Sequence, residues 1–163
     1  DGLAFEWEPG VRLQGGETEL ESSGVTAAEV IAPTGAHEPW VMVYSAWQDV
    51  PAGTVVPPHP SSDPSFEADG AEADGARDFA AASIAADMAG YRSRIFAATS
   101  TDGLQWERAG LLIEGDGPGG TDIDAVHAED MSLVRLEDGR FRMYYAAMDA
   151  AGRWTVASAV SER

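Results

Sequence analysis

The chain has 163 residues, with 28 Asp+Glu against 10 Lys+Arg, every one of them Arg, and a formal charge of −18. That balance argues against nucleic acid or an anionic membrane as partners, because both need a basic footprint. The absence of cysteine excludes disulfides and thiolate metal sites, and no stretch approaches the ~18 consecutive apolar residues of a membrane-spanning helix.

In chain order, the first strand signal is Phe5–Leu13. Ala28–Pro33 follows, then a turn at Thr34-Gly35-Ala36, then the aromatic and β-branched run Trp40–Trp47. Residues 48–92 interrupt this pattern with prolines (Pro51, Pro57, Pro58, Pro60, Pro64) and small acidic repeats, and Phe79–Met88 reads as a short helix. A loop this long in a compact domain points to a binding role or to a tolerated surface excursion. Ser93–Ser100 and Trp106–Ile113 are the next two strands, joined by Thr101-Asp102-Gly103-Leu104-Gln105. Asp130–Leu136 and Phe141–Met148 flank Asp138-Gly139, the strongest short hairpin signal. Trp154–Ser161 is the last strand.

These elements repeat. Shifted by 101 positions, residues 1–62 lie over 102–163 without a gap: Asp1-Gly2-Leu3 falls on Asp102-Gly103-Leu104, Glu29 on Asp130, and Val41–Ala46 on Arg142–Ala147. A fixed-period repeat of short strands is the sign of a propeller or a solenoid, and the four-stranded meander of each unit reads as an all-β propeller. The expected organisation is a single propeller-type domain or fragment over 1–163. In it, 1–13 is the outer strand of a preceding blade, 14–113 a complete blade with the insertion 48–92, and 114–163 three strands of the next. Two blades cannot close a ring, so the chain is expected to be part of a longer propeller or to form a homo-oligomer by strand exchange.

Chemistry concentrates in Asp122–Ser132, where four carboxylates and His127 stand at the entry to an innermost strand. Alternation along a regular strand puts Asp124 and Asp130 on one face, and His127 and Glu129 on the other. Asp130 is the expected axial carboxylate, with Glu29 its counterpart one blade earlier. Such a pair suits glycoside hydrolysis, in which one group protonates the leaving oxygen and the other acts as base or nucleophile. His127 and Glu129 would assist them. Trp47, at the rim beside the insertion, reads as a sugar platform, with Asp124 and Arg142 as further substrate contacts, while Trp106 and Trp154 read as blade packing. No organic cofactor is implied. Asp122 and Asp124 are oxygen ligands of the kind that hold calcium or another hard cation.

Ser100-Thr101-Asp102-Gly103-Leu104-Gln105-Trp106 resembles the S-x-D-G-x-x-W turn of five-bladed propeller glycosidases. The stretch Ala128-Glu129-Asp130-Met131-Ser132, followed by Asp138-Gly139-Arg140-Phe141, is similar to the inner hairpin of the arabinanase, levansucrase and invertase clan (glycoside hydrolase families 43, 32, 68 and 117). There the innermost strand commonly opens with Asp-Pro-Ser, and Met131 and Val30 stand here where proline is usual. The resemblance covers about two blades. It implies a five-bladed glycosidase-type propeller, a furanoside or polysaccharide ligand, Asp130 and Glu29 as site carboxylates, and an extracellular or periplasmic setting, although no signal peptide is read in the chain. Three functions stay open: a glycoside hydrolase, a non-catalytic carbohydrate-binding module closing its ring by oligomerisation, and a structural or protein-binding propeller.

Overall fold

The computed structural model describes residues 4–16, 18–50, 54, 56 and 91–162. Most of the 48–92 insertion, including the expected helix at Phe79–Met88, lies outside them. Among the described residues, seven strands form two antiparallel meanders. The first sheet has the order β1 (Gly24–Ile31), β2 (Trp40–Asp49), β3 (Tyr91–Ser100) and β4 (Glu107–Ile113). The second has β5 (His127–Arg135), β6 (Phe141–Met148) and β7 (Trp154–Val160). A 3-10 turn, Glu19–Glu21, precedes β1. No helix among the described residues is long and apolar enough to cross a membrane.

The sheets pack face to face. Val43 and Ile95 of the first meet Ala128, Met131, Met143, Tyr145, Ala147 and Ala157 of the second. Fully burying side chains such as Ile95 and Met143 contributes about 1.5–3 kcal/mol each. Met42, Tyr44, Ala46, Phe96 and Ala98, on the opposite face of the first sheet, are covered by Leu13, Leu20, Val25 and Trp106. Strand β2 is therefore buried on both faces, which is why Trp40–Trp47 reads as one apolar run. Strand β6 is covered on one face only, so burial alternates along it, with Arg142 and Tyr144 exposed between Phe141, Met143 and Tyr145.

The turn between β3 and β4 forms as its residue types predict. Ser100 Oγ accepts the backbone N–H of Asp102 and Gly103 at 3.1 and 2.8 Å, Asp102 Oδ1 accepts those of Leu104 and Gln105 at 2.8 Å each, and Trp106 Nε1–H donates to the Gly103 carbonyl.

Two expectations are corrected. Residues 4–13 form no strand; Phe5, Trp7 and Val11 stand 90%, 83% and 73% exposed. The second correction concerns the repeat. The 101-residue shift holds for β2 and β6 but not for the inner strands. Val41 pairs with Ile31, whereas its repeat partner Arg142 pairs with Val134. Nine residues separate Ile31 from Val41 and seven separate Val134 from Arg142. The longer first hairpin displaces the inner strand by two positions, so Glu29 corresponds to Ser132 and Ala27 corresponds to Asp130. The backbone agrees: Ala27 (φ 42°) and Asp130 (φ 50°) are the two non-glycine residues with positive φ among those described, and each sits in the β-bulge of its inner strand.

Candidate functional site

The end of β2, the start of β3, the start of β5, the end of β6 and the start of β7 meet at one end of the two sheets. The 48–92 insertion leaves and re-enters there, between the paired residues Asp49 and Tyr91. His127, the first residue of β5, is 1% exposed. Its ring stacks on Trp154 at 5.6 Å and 11°, and lies tilted against Trp47 at 5.4 Å. Tyr91 backs Trp47 edge-on at 6.4 Å. Ser93 Oγ, also buried, is 2.9 Å from His127 Nδ1. The imidazole is thus packed against two tryptophans and bonded at Nδ1, which fixes its orientation.

Glu129 follows two residues on and is 3% exposed. Asp130 is exposed. The bulge removes it from regular alternation, since an extra residue in one strand re-aims its side chain. For that reason Ala128 and Met131, three apart, share the inter-sheet core. Aspartate tolerates the left-handed conformation better than most residues. The Asp130 backbone N–H donates to buried Ser45 Oγ of the first sheet at 3.1 Å, which pins the bulge to the neighbouring sheet.

Asp124 is 8% exposed and its Oδ2 accepts the Tyr145 hydroxyl at 2.7 Å. Burial, reinforced by that bond, pushes the Tyr145 phenol above its ordinary value, so it stays protonated and donates. The backbone passes close by: a Cβ on Gly115 (φ 66°) would collide with the Asp124 carbonyl oxygen, so only glycine fits. Arg92 donates to the Glu114 and Gly115 carbonyls at 2.6 and 2.8 Å. Arg94 Nη1 donates to Gln48 Oε1 at 2.5 Å, with its Nε 3.6 Å from the Glu114 carboxylate. Burial lowers both guanidinium pKa values.

The structure brings together Trp47, His127 and, from β7, Trp154; Glu129 and Asp130 continue the same strand from His127. It separates others. Arg142 is six residues along β6 from Met148, the partner of His127, or roughly 20 Å at ~3.4 Å per residue, so it stands at the far end. Glu29 sits two positions beyond the bulge of its own strand, half-buried opposite Val43. Asp122 is exposed, Asp124 is engaged by Tyr145, and no group of three or more His, Cys, Asp or Glu suited to a metal ion occurs among the described residues. Trp154, read as packing, stacks on the His127 ring. Ser93, Ser45 and Tyr145 carry no signal in the sequence; a lone serine in a strand means nothing until its neighbour across the blades is known.

No family model and no curated protein matches this chain. Among solved structures it is similar to Zg3597, a family 117 glycoside hydrolase produced by the marine bacterium Zobellia galactanivorans, with 16% identity and a TM-score of 0.53 over 94% of this chain and 40% of that one. Two further matches are a complex of BT0996 with RGII and a structure described as a glycoside hydrolase. Each has 17% identity over 90% of this chain and 48% of the other, with TM-scores of 0.32 and 0.33. The chain spans less than half the length of the proteins it matches. The first likeness bears on the fold alone: an all-β, propeller-like arrangement of two antiparallel meanders.

Proposed function

We propose that this chain supplies part of the glycan site of a propeller glycosidase, with Asp130 the carboxylate that meets the sugar and His127, three residues earlier on the same strand, the group that assists it. The observation that carries the reading is the bulge. It exposes one carboxylate at the inner strand of the second sheet while its neighbours Glu129 and His127 stay buried. An exposed carboxylate one and three residues along the strand from buried Glu129 and His127 is reachable by a ligand while its neighbours are held in place. The fold shared with a family 117 glycoside hydrolase supports the same reading.

In this scheme the pair of groups that glycoside cleavage needs is Asp130 and one further carboxylate. Glu129 is the nearest in sequence, and Glu29 is a candidate from the first sheet. Trp47 flanks the imidazole and offers an apolar face for a sugar ring. A furanoside or a plant or algal polysaccharide is the proposed ligand, and an extracellular or periplasmic setting suits both that ligand and the acidic surface.

The test is a panel of furanosides and polysaccharides offered to the protein and to its Asp130→Asn variant. Reducing-sugar release measures turnover and calorimetry measures binding. Turnover should fall by about 10²–10⁴-fold, as when a positioned acid or base is lost, with binding kept within a few-fold. Binding without any turnover in either protein would replace the hydrolase with a carbohydrate-binding module. Failure of every glycan to bind would leave the structural propeller.

A further inference from the structure

The two inner strands bulge at the same place. Thr26 pairs with Ser45 and Ala28 with Tyr44, which leaves Ala27 as the extra residue of β1. In β5 the break falls between Glu129, opposite Ala146, and Ser132, opposite Tyr144. Ala27 and Asp130 are left-handed at these breaks. A non-glycine residue keeps that conformation only where its surroundings impose it, and such positions gather at binding sites. The same conformation at the same register of two like-built sheets aims both side chains the same way relative to their sheets.

Ser45 brings the two bulges to one level. It is fully buried, lies opposite Thr26 in its own sheet, and accepts the Asp130 backbone N–H through Oγ. Thr26 directly precedes Ala27, so the Asp130 backbone sits against the strand pair that carries the first bulge. Strands β1 and β5 pack against each other as well. Glu29 stands lower, opposite Val43, two positions along β2 from Ser45. At the level of Asp130 the first sheet therefore contributes half-buried Ala27, a methyl group where the second sheet contributes an exposed carboxylate.

We infer that Ala27 is a specificity-determining residue beside Asp130: a small, neutral wall of the same recess, which admits a ring substituent that a larger residue would exclude. The inference rests on the reading of Asp130 as the carboxylate that meets the sugar.

Aspartate and asparagine tolerate the left-handed conformation better than alanine does, so Ala27→Asp and Ala27→Asn should keep the fold, with β-sheet circular dichroism unchanged. Asp130 is followed by carboxyl-carbon NMR titration, its signal identified by its loss in Asp130→Asn. Ala27→Asp should raise the pH at which Asp130 titrates by about one unit or more, as a like charge in a shared site does. Ala27→Asn should leave that titration in place. If Ala27→Asp does not move it, the two positions share no recess and the inference is overturned. Both variants also go to calorimetry with the panel of furanosides and polysaccharides. Any glycan that binds the unmodified chain should bind Ala27→Asn about tenfold or more weakly, because the added atoms fill the recess. Equal affinity overturns the wall assigned to Ala27. If no glycan binds at all, the reading of Asp130 fails, and the titration, which needs no ligand, decides whether residues 27 and 130 share a recess.

Discussion

Asp130 and Ala27 occupy the same backbone position in the two inner strands, yet one is a carboxylate and the other a methyl group. A left-handed conformation costs an L-residue with a Cβ about 1–2 kcal/mol. Aspartate offsets part of this by local hydrogen bonding, and alanine has no such means. Ala27→Gly should therefore stabilise the protein by about 0.5–1 kcal/mol after glycine's larger unfolded-state entropy is counted. Chemical denaturation of the two proteins checks it. A loss of stability would mean that the Ala27 methyl makes a packing contact worth more than the strain.

The segment before β1 is held on the first sheet by one buried acid. Glu21 is 1% exposed; it accepts the Tyr44 hydroxyl at 2.5 Å, the Arg108 Nε–H at 2.7 Å and the Thr18 hydroxyl at 3.1 Å. Arg108 also donates to the Gln14 carbonyl at 2.6 Å. One carboxylate thus ties the 3-10 turn to β2 and β4. Burial, and then the bond to Glu21, raise the Tyr44 phenol above its ordinary value and keep it a donor. Glu21→Ala would leave a largely buried guanidinium without its charge partner, a change that costs about 3–5 kcal/mol. Thermal unfolding should register a correspondingly large fall in Tm. A change within ~0.5 kcal/mol, typical of exposed positions, would show that the segment contributes little to the fold.

Across the whole molecule, four turn carboxylates share one behaviour. Asp102, Asp116, Asp138 and Asp149 each accept backbone N–H bonds, foremost from Gln105, Thr121, Arg140 and Arg153 respectively, and each is held below the ordinary 3.8. A carboxyl group whose folded pKa is depressed adds stability that is fully present above its unfolded value and is lost as pH falls through the folded one. Stability should therefore drop as pH falls below 3.8. Asp102→Asn, which keeps an acceptor oxygen but cannot titrate, should make that fall shallower. Melting curves between about pH 7 and about pH 2 measure it across the range where such carboxyls titrate, and a Tm that held or rose below pH 3.8 would refute it.

Strand identity was legible from local sequence because it depends on neighbours in the chain. Trp40–Trp47, Phe141–Met148 and the Ser100–Trp106 turn lie within a residue or two of where their residue types put them, and a period near one hundred residues marked repeated blades. The place of Trp47 at the end of its strand, beside the insertion, was also readable. The partner assigned to Asp130 was not. Its counterpart depends on a bulge and on a two-residue difference in hairpin length, and an ungapped comparison spreads both invisibly along the strand. Nor could sequence place Trp154 against His127, or Ser93 at its Nδ1, because those contacts join residues 27 and 34 positions apart through the packing of separate strands. Local propensity and periodicity determined the strands. The register between strands and the contact between sheets, which only burial of the shared core selects, decided which side chains meet.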